Sequence, residues 1–186
     1  YIPEGQLLYS RQLMKQYRNA DVSFSRWIDI LEQCTALGIP LESPIIVTFY
    51  GELLGQFLMK DCDVEFGVLI GQNTVLPEIE NVRSWGGTYA ATVYHVGKYS
   101  DIVRSYITLL QWINQHGCEV LGPPAERFII SPLEVKDEGQ HIVQILIPIR
   151  RPAAWPGFSA MLSVCPTDCP GKAVTSFQGN LLFLPL

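Results

Sequence analysis

The sequence predicts an α+β fold built from two βαββ repeats related by a pseudo-two-fold axis, with antiparallel sheets and one long helix per repeat. Three observations carry this. Residues recur in kind at a spacing of 79. Two stretches place apolar side chains at three- and four-residue intervals, the period of a helix with one buried face. Short runs that alternate or stay apolar flank each of them, as strands do.

The recurrence is specific. Phe24, Trp27, Ile28, Ile30, Leu31 and Cys34 align with Val103, Tyr106, Ile107, Leu109, Leu110 and Ile113. Gly38 falls on Gly117, Pro44 on Pro123 and Phe49 on Phe128. Val64, Phe66 and Val68 fall on Val143, Ile145 and Ile147, with no insertion between these points. Apolar positions match apolar positions by chance, but the glycine, the proline and the strand parity add independent agreement. A repeat of this kind sets the architecture before any element is assigned.

The elements follow in order. Residues 6–14 read as a strand. Residues 24–37 read as a helix, with Ser23 as a candidate N-cap and Gly38 as its stop. A turn-rich link over 39–43 leads to a strand at 45–50, and a further strand at 64–70 alternates polar and apolar in its first part. The second half repeats this with a strand at 88–96 and a helix at 101–116, where Ser100 is the candidate cap and Gly117 the stop. A link at 118–122 and strands at 125–130 and 142–147 complete it. Each repeat alone would leave a sheet edge and a face uncovered, so packing the two together is expected. Residues 1–150 are thus read as one domain, with repeats at about 6–70 and 85–149. Residues 151–186 lack the pattern and a counterpart. They are read as a C-terminal extension of unknown role, either lying against the domain or poorly ordered.

Composition narrows the function classes. The chain has 186 residues, 48% hydrophobic and 17% charged, which suits one domain with an ordinary core. A net charge of -5 with no basic face argues against direct nucleic-acid binding. No apolar run is long enough to span a bilayer. Five cysteines at scattered spacings make no disulfide framework, and reduced cytoplasmic thiols are expected. Cys165 and Cys169 lack the metal-knuckle spacing and a nearby histidine. No metal or cofactor is expected, and no catalytic residue is assigned. The start, Tyr1-Ile2-Pro3-Glu4-Gly5, has neither an initiator Met nor a signal pattern and reads as part of a longer protein.

One residue stands out chemically. Glu126 lies in a strand of apolar or bulky neighbours and shares a face with Phe128 and Ile130. Burying an unpartnered carboxylate costs several kcal/mol, and the repeat counterpart, Val47, shows that the fold needs no acid there. A Glu in solvent at a strand edge is the ordinary alternative. The aromatics Tyr89, Tyr94, Tyr99, Tyr106, Trp112, Phe49, Tyr50 and Phe128 supply candidate pocket walls, although most aromatics fill cores. An acid beside such walls suits a delocalised cation. His95, His116 and His141 are isolated, so no triad or metal cluster can be assembled from spacing.

The second half resembles a known family. Tyr94-His95-Val96-Gly97-Lys98-Tyr99, then Leu110-Gln111-Trp112-Ile113, then Gly117, then Gly122-Pro123-Pro124-Ala125-Glu126-Arg127-Phe128 and Ile147-Pro148-Ile149 are similar to the GyrI-like effector-binding domain. The resemblance covers about residues 6–149. It implies the duplicated βαββ architecture and a role as the ligand-sensing part of a MerR-type or AraC-type transcription regulator, whose DNA-binding domain would lie outside this chain. It also implies the possibility of a homodimer in the full-length protein. The alternative it carries is a stand-alone GyrI-like protein, a small-molecule hydrolase or a gyrase-inhibitor-like protein. The family's acidic pocket residue maps onto Glu126. Its usual Tyr maps onto Phe128, a departure that removes a hydroxyl and weakens the hydrolase reading more than the binding reading. The expected site is a groove between the halves, with Glu126 facing Phe128, Phe49, Trp112 and Tyr94. Its expected ligand is an apolar molecule or a lipophilic cation.

Overall fold

The computed structural model describes residues 1–15, 23–40, 44–58, 61–71, 81–152 and 181–182. Strands β1 (Gly5–Met14), β2 (Ile46–Tyr50) and β3 (Cys62–Ile70) belong to the first half, with helix α1 (Ser23–Ala36) and a four-residue helix α2 (Gly55–Leu58). β4 (Val82–Trp85) follows. The second half holds β5 (Ala90–Val96), helix α3 (Ile102–Gln115), β6 (Glu119–Val120), β7 (Ala125–Ile130) and β8 (Ile142–Arg150). Leu181 and Leu182 form β9, paired with His95 and Tyr94 of β5. Apart from Arg151 and Pro152, the rest of the C-terminal extension lies outside the described residues, as do Cys165 and Cys169.

The strands join in the order β4-β1-β3-β2-β7-β8-β5-β9, and β6 pairs with β8. Every pairing described is antiparallel. The halves therefore meet through β2 and β7. Their registers carry the sequence spacing. Val47 pairs with Phe66 and Phe49 with Val64; Glu126 pairs with Ile145 and Phe128 with Val143. At the joint, Val47 pairs with Glu126, its own counterpart. The first strands obey a longer spacing. Leu8 lies on Val68 and Ala91 on Ile147, so 83 residues separate β1 from β5 positions while 79 separate β3 from β8.

The helix ends also match. The Gly38 N–H donates to the Thr35 carbonyl and the Ile39 N–H to that of Cys34. The Gly117 N–H donates to Asn114 and the Cys118 N–H to Ile113 in the same way. Both glycines have positive φ, 66° and 62°, which lets the chain close off the last helical carbonyls without a Cβ clash. The start of α3 differs from expectation. Ser100 lies inside a 3-10 turn, Tyr99–Asp101, and the N-cap is Asp101, with no side-chain capping bond.

Both helices pack on one face of the sheet. Trp27, Ile30 and Cys34 of α1 and Ile102, Tyr106, Leu109 and Ile113 of α3 share a core with Val47, Phe49, Val64, Phe66, Phe128, Val143 and Ile145. A smaller cluster lies on the other face: Ile2, Leu7, Ile46, Trp85, Ala125 and Leu146. β4 was not anticipated; it adds to the edge of β1 and helps cover this second face. β6 takes the place of part of the expected 118–122 link. No helix among the described residues is long and apolar enough to cross a membrane.

Candidate functional site

β7 alternates its side chains across the sheet. Glu126 and Phe128 point toward the helices, and Ala125 falls in the opposite cluster. Glu126 is at the joint between the halves and is fully buried, at 0% exposure. Its carboxylate accepts two hydrogen bonds. The Tyr99 hydroxyl donates to Oε2 at 2.5 Å, and the Tyr106 hydroxyl donates to Oε1 at 2.8 Å. Among the described residues no Lys, Arg or His pairs with it. Burial disfavours the charged form and outweighs the two hydroxyl bonds, which favour it, so the Glu126 pKa is pushed up to about 7.

Aromatic rings surround this carboxylate. Trp27 of α1 meets Phe128 edge-on at 4.5 Å, and Tyr99 tilts over Phe128 at 5.7 Å. Phe57 of α2 meets Tyr106 edge-on at 5.3 Å. The Trp27 and Phe57 contacts cross from the first half to the second. The site is thus assembled by both halves and lies on the helix-bearing face.

The turn before α3 is held in place. One ring nitrogen of His95, Nε2, lies 2.9 Å from the Lys98 carbonyl, and the other, Nδ1, lies 2.9 Å from the Ser105 hydroxyl. A ring carrying its hydrogen on Nε2 satisfies both bonds. Gly97, at φ 113°, makes the bend out of β5. This clamp fixes the turn that delivers Tyr99 and the first turn of α3, which delivers Tyr106. His95 therefore acts structurally. His141 and His116 likewise bond backbone carbonyls, of Val135 and Trp112.

The expected wall residues divide. Phe49 and Phe128 lie on the Glu126 face, both buried. Tyr94 does not line this site. Ala91 and Val93 face the helices, so strand alternation turns Tyr94 to the opposite face, where its field acts on Arg127. Trp112 sits six residues beyond Tyr106 on α3, half-buried and stacked on His116 at 4.2 Å. Trp27 and Phe57 were missing from the expected walls, and Tyr99 and Tyr106 stood only among the candidate aromatics. One signal was available: Trp27 and Tyr106 are repeat counterparts, so the same helical position is aromatic in both halves. Phe128 brings no hydroxyl to Glu126, whose donors are Tyr99 and Tyr106.

Among the described residues no group of His, Cys, Asp or Glu is placed to hold a metal ion. The arrangement offers one uncompensated carboxylate inside an aromatic shell. A carboxylate so placed can attract a cation.

Solved structures share the fold. The C-terminal domain of EcmrR aligns at a TM-score of 0.67 and 21% identity, over 81% of this chain and 94% of that one. EcmrR bound to DNA aligns at 0.65 and 22%; the chain spans only 56% of that longer protein. A hydrolase from Listeria innocua aligns at 0.53 and 14%, over 80% of this chain and 89% of that one. No curated protein sequence matches the chain. Residues 58–150, half of its length, match the GyrI-like small molecule binding domain, and the chain belongs to that family.

Proposed function

We propose that this domain binds a lipophilic cation at Glu126 and serves as the sensing part of a cytoplasmic transcription regulator. The observation that carries the reading is the fully buried Glu126 carboxylate, which has aromatic neighbours and no cationic partner among the described residues. An aromatic cation would supply the missing charge and stack on the rings. The sensor role draws on EcmrR, a relative in fold whose structure was solved with DNA. A base near pH 7 also suits hydrolysis. Among the described residues, however, the hydrogen-bond partners of Glu126 are two tyrosine hydroxyls, with no second acid or base beside it, so binding is the better reading.

The test compares crystal violet, a cationic dye, with its uncharged leuco form at pH 8. Glu126→Gln should weaken the dye by tenfold or more, since each 1.4 kcal/mol is a factor of ten, and leave the leuco form nearly unchanged. Wild-type affinity for the dye should also fall by about tenfold from pH 8 to pH 6, because the proton on free Glu126 must leave when the cation binds. Equal losses for both forms of the dye, or a flat pH profile, would sink the proposal.

DNA contact is assigned to a domain outside this chain. With a net charge of -5, the chain alone should show no salt-sensitive DNA retardation in a gel-shift titration. A tight complex that weakens with added salt would overturn that assignment.

A further inference from the structure

We propose a second ligand site on the helix-free face of the sheet: a cleft of about 260 Å³ that takes a small neutral aromatic molecule of the phenol class, with its polar group on the Thr48 hydroxyl. The cleft lies between the start of the chain, β4 and the central strands. Ile2, Trp85, Pro123, Leu146 and Pro148 give it flat apolar walls, and Thr48 contributes to its floor. It is separate from the Glu126 site. Val47 faces the helices, so its neighbour Thr48 faces away from them, and the sheet stands between the two sites.

The Thr48 hydroxyl singles out this cleft. Thr48 is only 3% exposed, and its Oγ1 is buried with no hydrogen-bond partner among the described residues. Such a group in a folded protein calls for an explanation, because losing water without gaining a partner is unfavourable. Packing does not explain it. The strand reads Ile46-Val47-Thr48-Phe49, and a valine would fill the same space without a stranded hydroxyl. A ligand hydroxyl that enters the cleft and slightly parts the side chains over Thr48 would satisfy it.

Charge and size set the ligand class. Arg83 lines the cleft, but its Nε donates to Glu65 at 3.0 Å, its Nη2 to Glu65 at 2.5 Å and its Nη1 to the Ser84 carbonyl at 2.8 Å. The Tyr50 hydroxyl, also on the wall, donates to Glu65 at 3.2 Å. One positive and one negative charge thus cancel, so neither an anion nor a cation is favoured. The volume is below the roughly 300–1,000 Å³ of drug-sized pockets, which points to a single ring.

The test is an amide-resolved NMR titration of the full chain with phenol, toluene, benzoate and benzylammonium. Phenol should shift the Thr48, Ala125 and Leu146 amides saturably. Toluene should bind about fivefold more weakly, and the two ions more weakly still. Thr48→Val nearly preserves shape. It should cut phenol affinity to that of toluene, leave toluene unchanged, and hold or raise the melting temperature. Ala125→Ile should reduce binding of phenol and toluene alike by filling the cleft. Phenol affinity unchanged in Thr48→Val, shifts confined to the Glu126 face, or no saturable shift at all would each overturn the proposal.

Discussion

Replacing Arg83 with methionine should destabilise the fold by about 3 kcal/mol, read as a lowered urea midpoint. Glu65 is 1% exposed and accepts from Arg83 through both carboxylate oxygens, with Tyr50 as a third donor. Hydrogen bonding to Glu65 and its charge hold the Arg83 guanidinium further above its ordinary pKa, so the guanidinium stays charged. Removing one partner of a buried pair leaves an uncompensated charge, typically at about 3–5 kcal/mol. The Arg83 side chain keeps 32% of its surface in water, which places the expected loss at the lower end. Tyr50 remains and softens it further. Removing both charges is a different matter, because two apolar groups of similar shape pack without penalty. Arg83→Met combined with Glu65→Leu should therefore recover most of the loss. A single variant within 1 kcal/mol of wild type would show the pair to be idle. A double variant as unstable as the single one would show that packing, not charge, sets the effect.

The same pair marks the limit of what the sequence reveals. In Cys62-Asp63-Val64-Glu65-Phe66, acid alternates with apolar, and this reads as a strand with one wet face. Asp63 fits that reading, since it meets Arg11 in a pair that is well exposed on both sides. Glu65 does not. Its burial depends on β4, which pairs with β1 and comes from far along the chain. Nothing local in Val82-Arg83-Ser84-Trp85 announces an edge strand. The helices, by contrast, were legible because their buried stripe and their glycine stops are local. The repeat implied that the two halves pack together, but it did not say which strands would join them; the pairing of β2 with β7 was not legible. The repeat spacing gave no warning of the four-residue difference in the first strands, since β1 and β5 share little sequence.

The placement of the candidate residues was legible to the same degree. Glu126 was visible because an acid interrupts an apolar strand whose counterpart is Val47. Phe128 and Phe49 followed by parity. Tyr94 was chosen for its neighbourhood in the sequence, and strand alternation sends it to the other side. Tyr99 and Tyr106 were visible as aromatics but not as donors. Their roles depend on a 3-10 turn and a His95 clamp that only the folded backbone defines.

Replacing Glu126 with glutamine should stabilise the empty domain by about 3 kcal/mol at pH 8.5 and change it little at pH 4. An unfolded glutamate loses its proton near pH 4.5, whereas folded Glu126 holds it to about pH 7. Between these values the folded state binds the extra proton, so raising the pH favours unfolding. The penalty is absent below about pH 4.5 and complete above about pH 7. Its size follows from the difference of about 2.5 pH units at roughly 1.4 kcal/mol each. The two tyrosine bonds are already counted in that difference, because they favour the charged form and burial overcomes them. Glutamine keeps the shape, accepts from one tyrosine and can donate to the other. The melting temperature of Glu126→Gln should thus exceed that of wild type by about 10 °C at pH 8.5, with the two curves converging toward pH 4. A difference that stays constant with pH would mean that the carboxylate is not strained by burial. A cationic ligand at one fixed concentration should therefore raise the melting temperature of wild type more than that of the variant at pH 8.5. Conformational stability and ligand affinity are then two readings of one uncompensated charge.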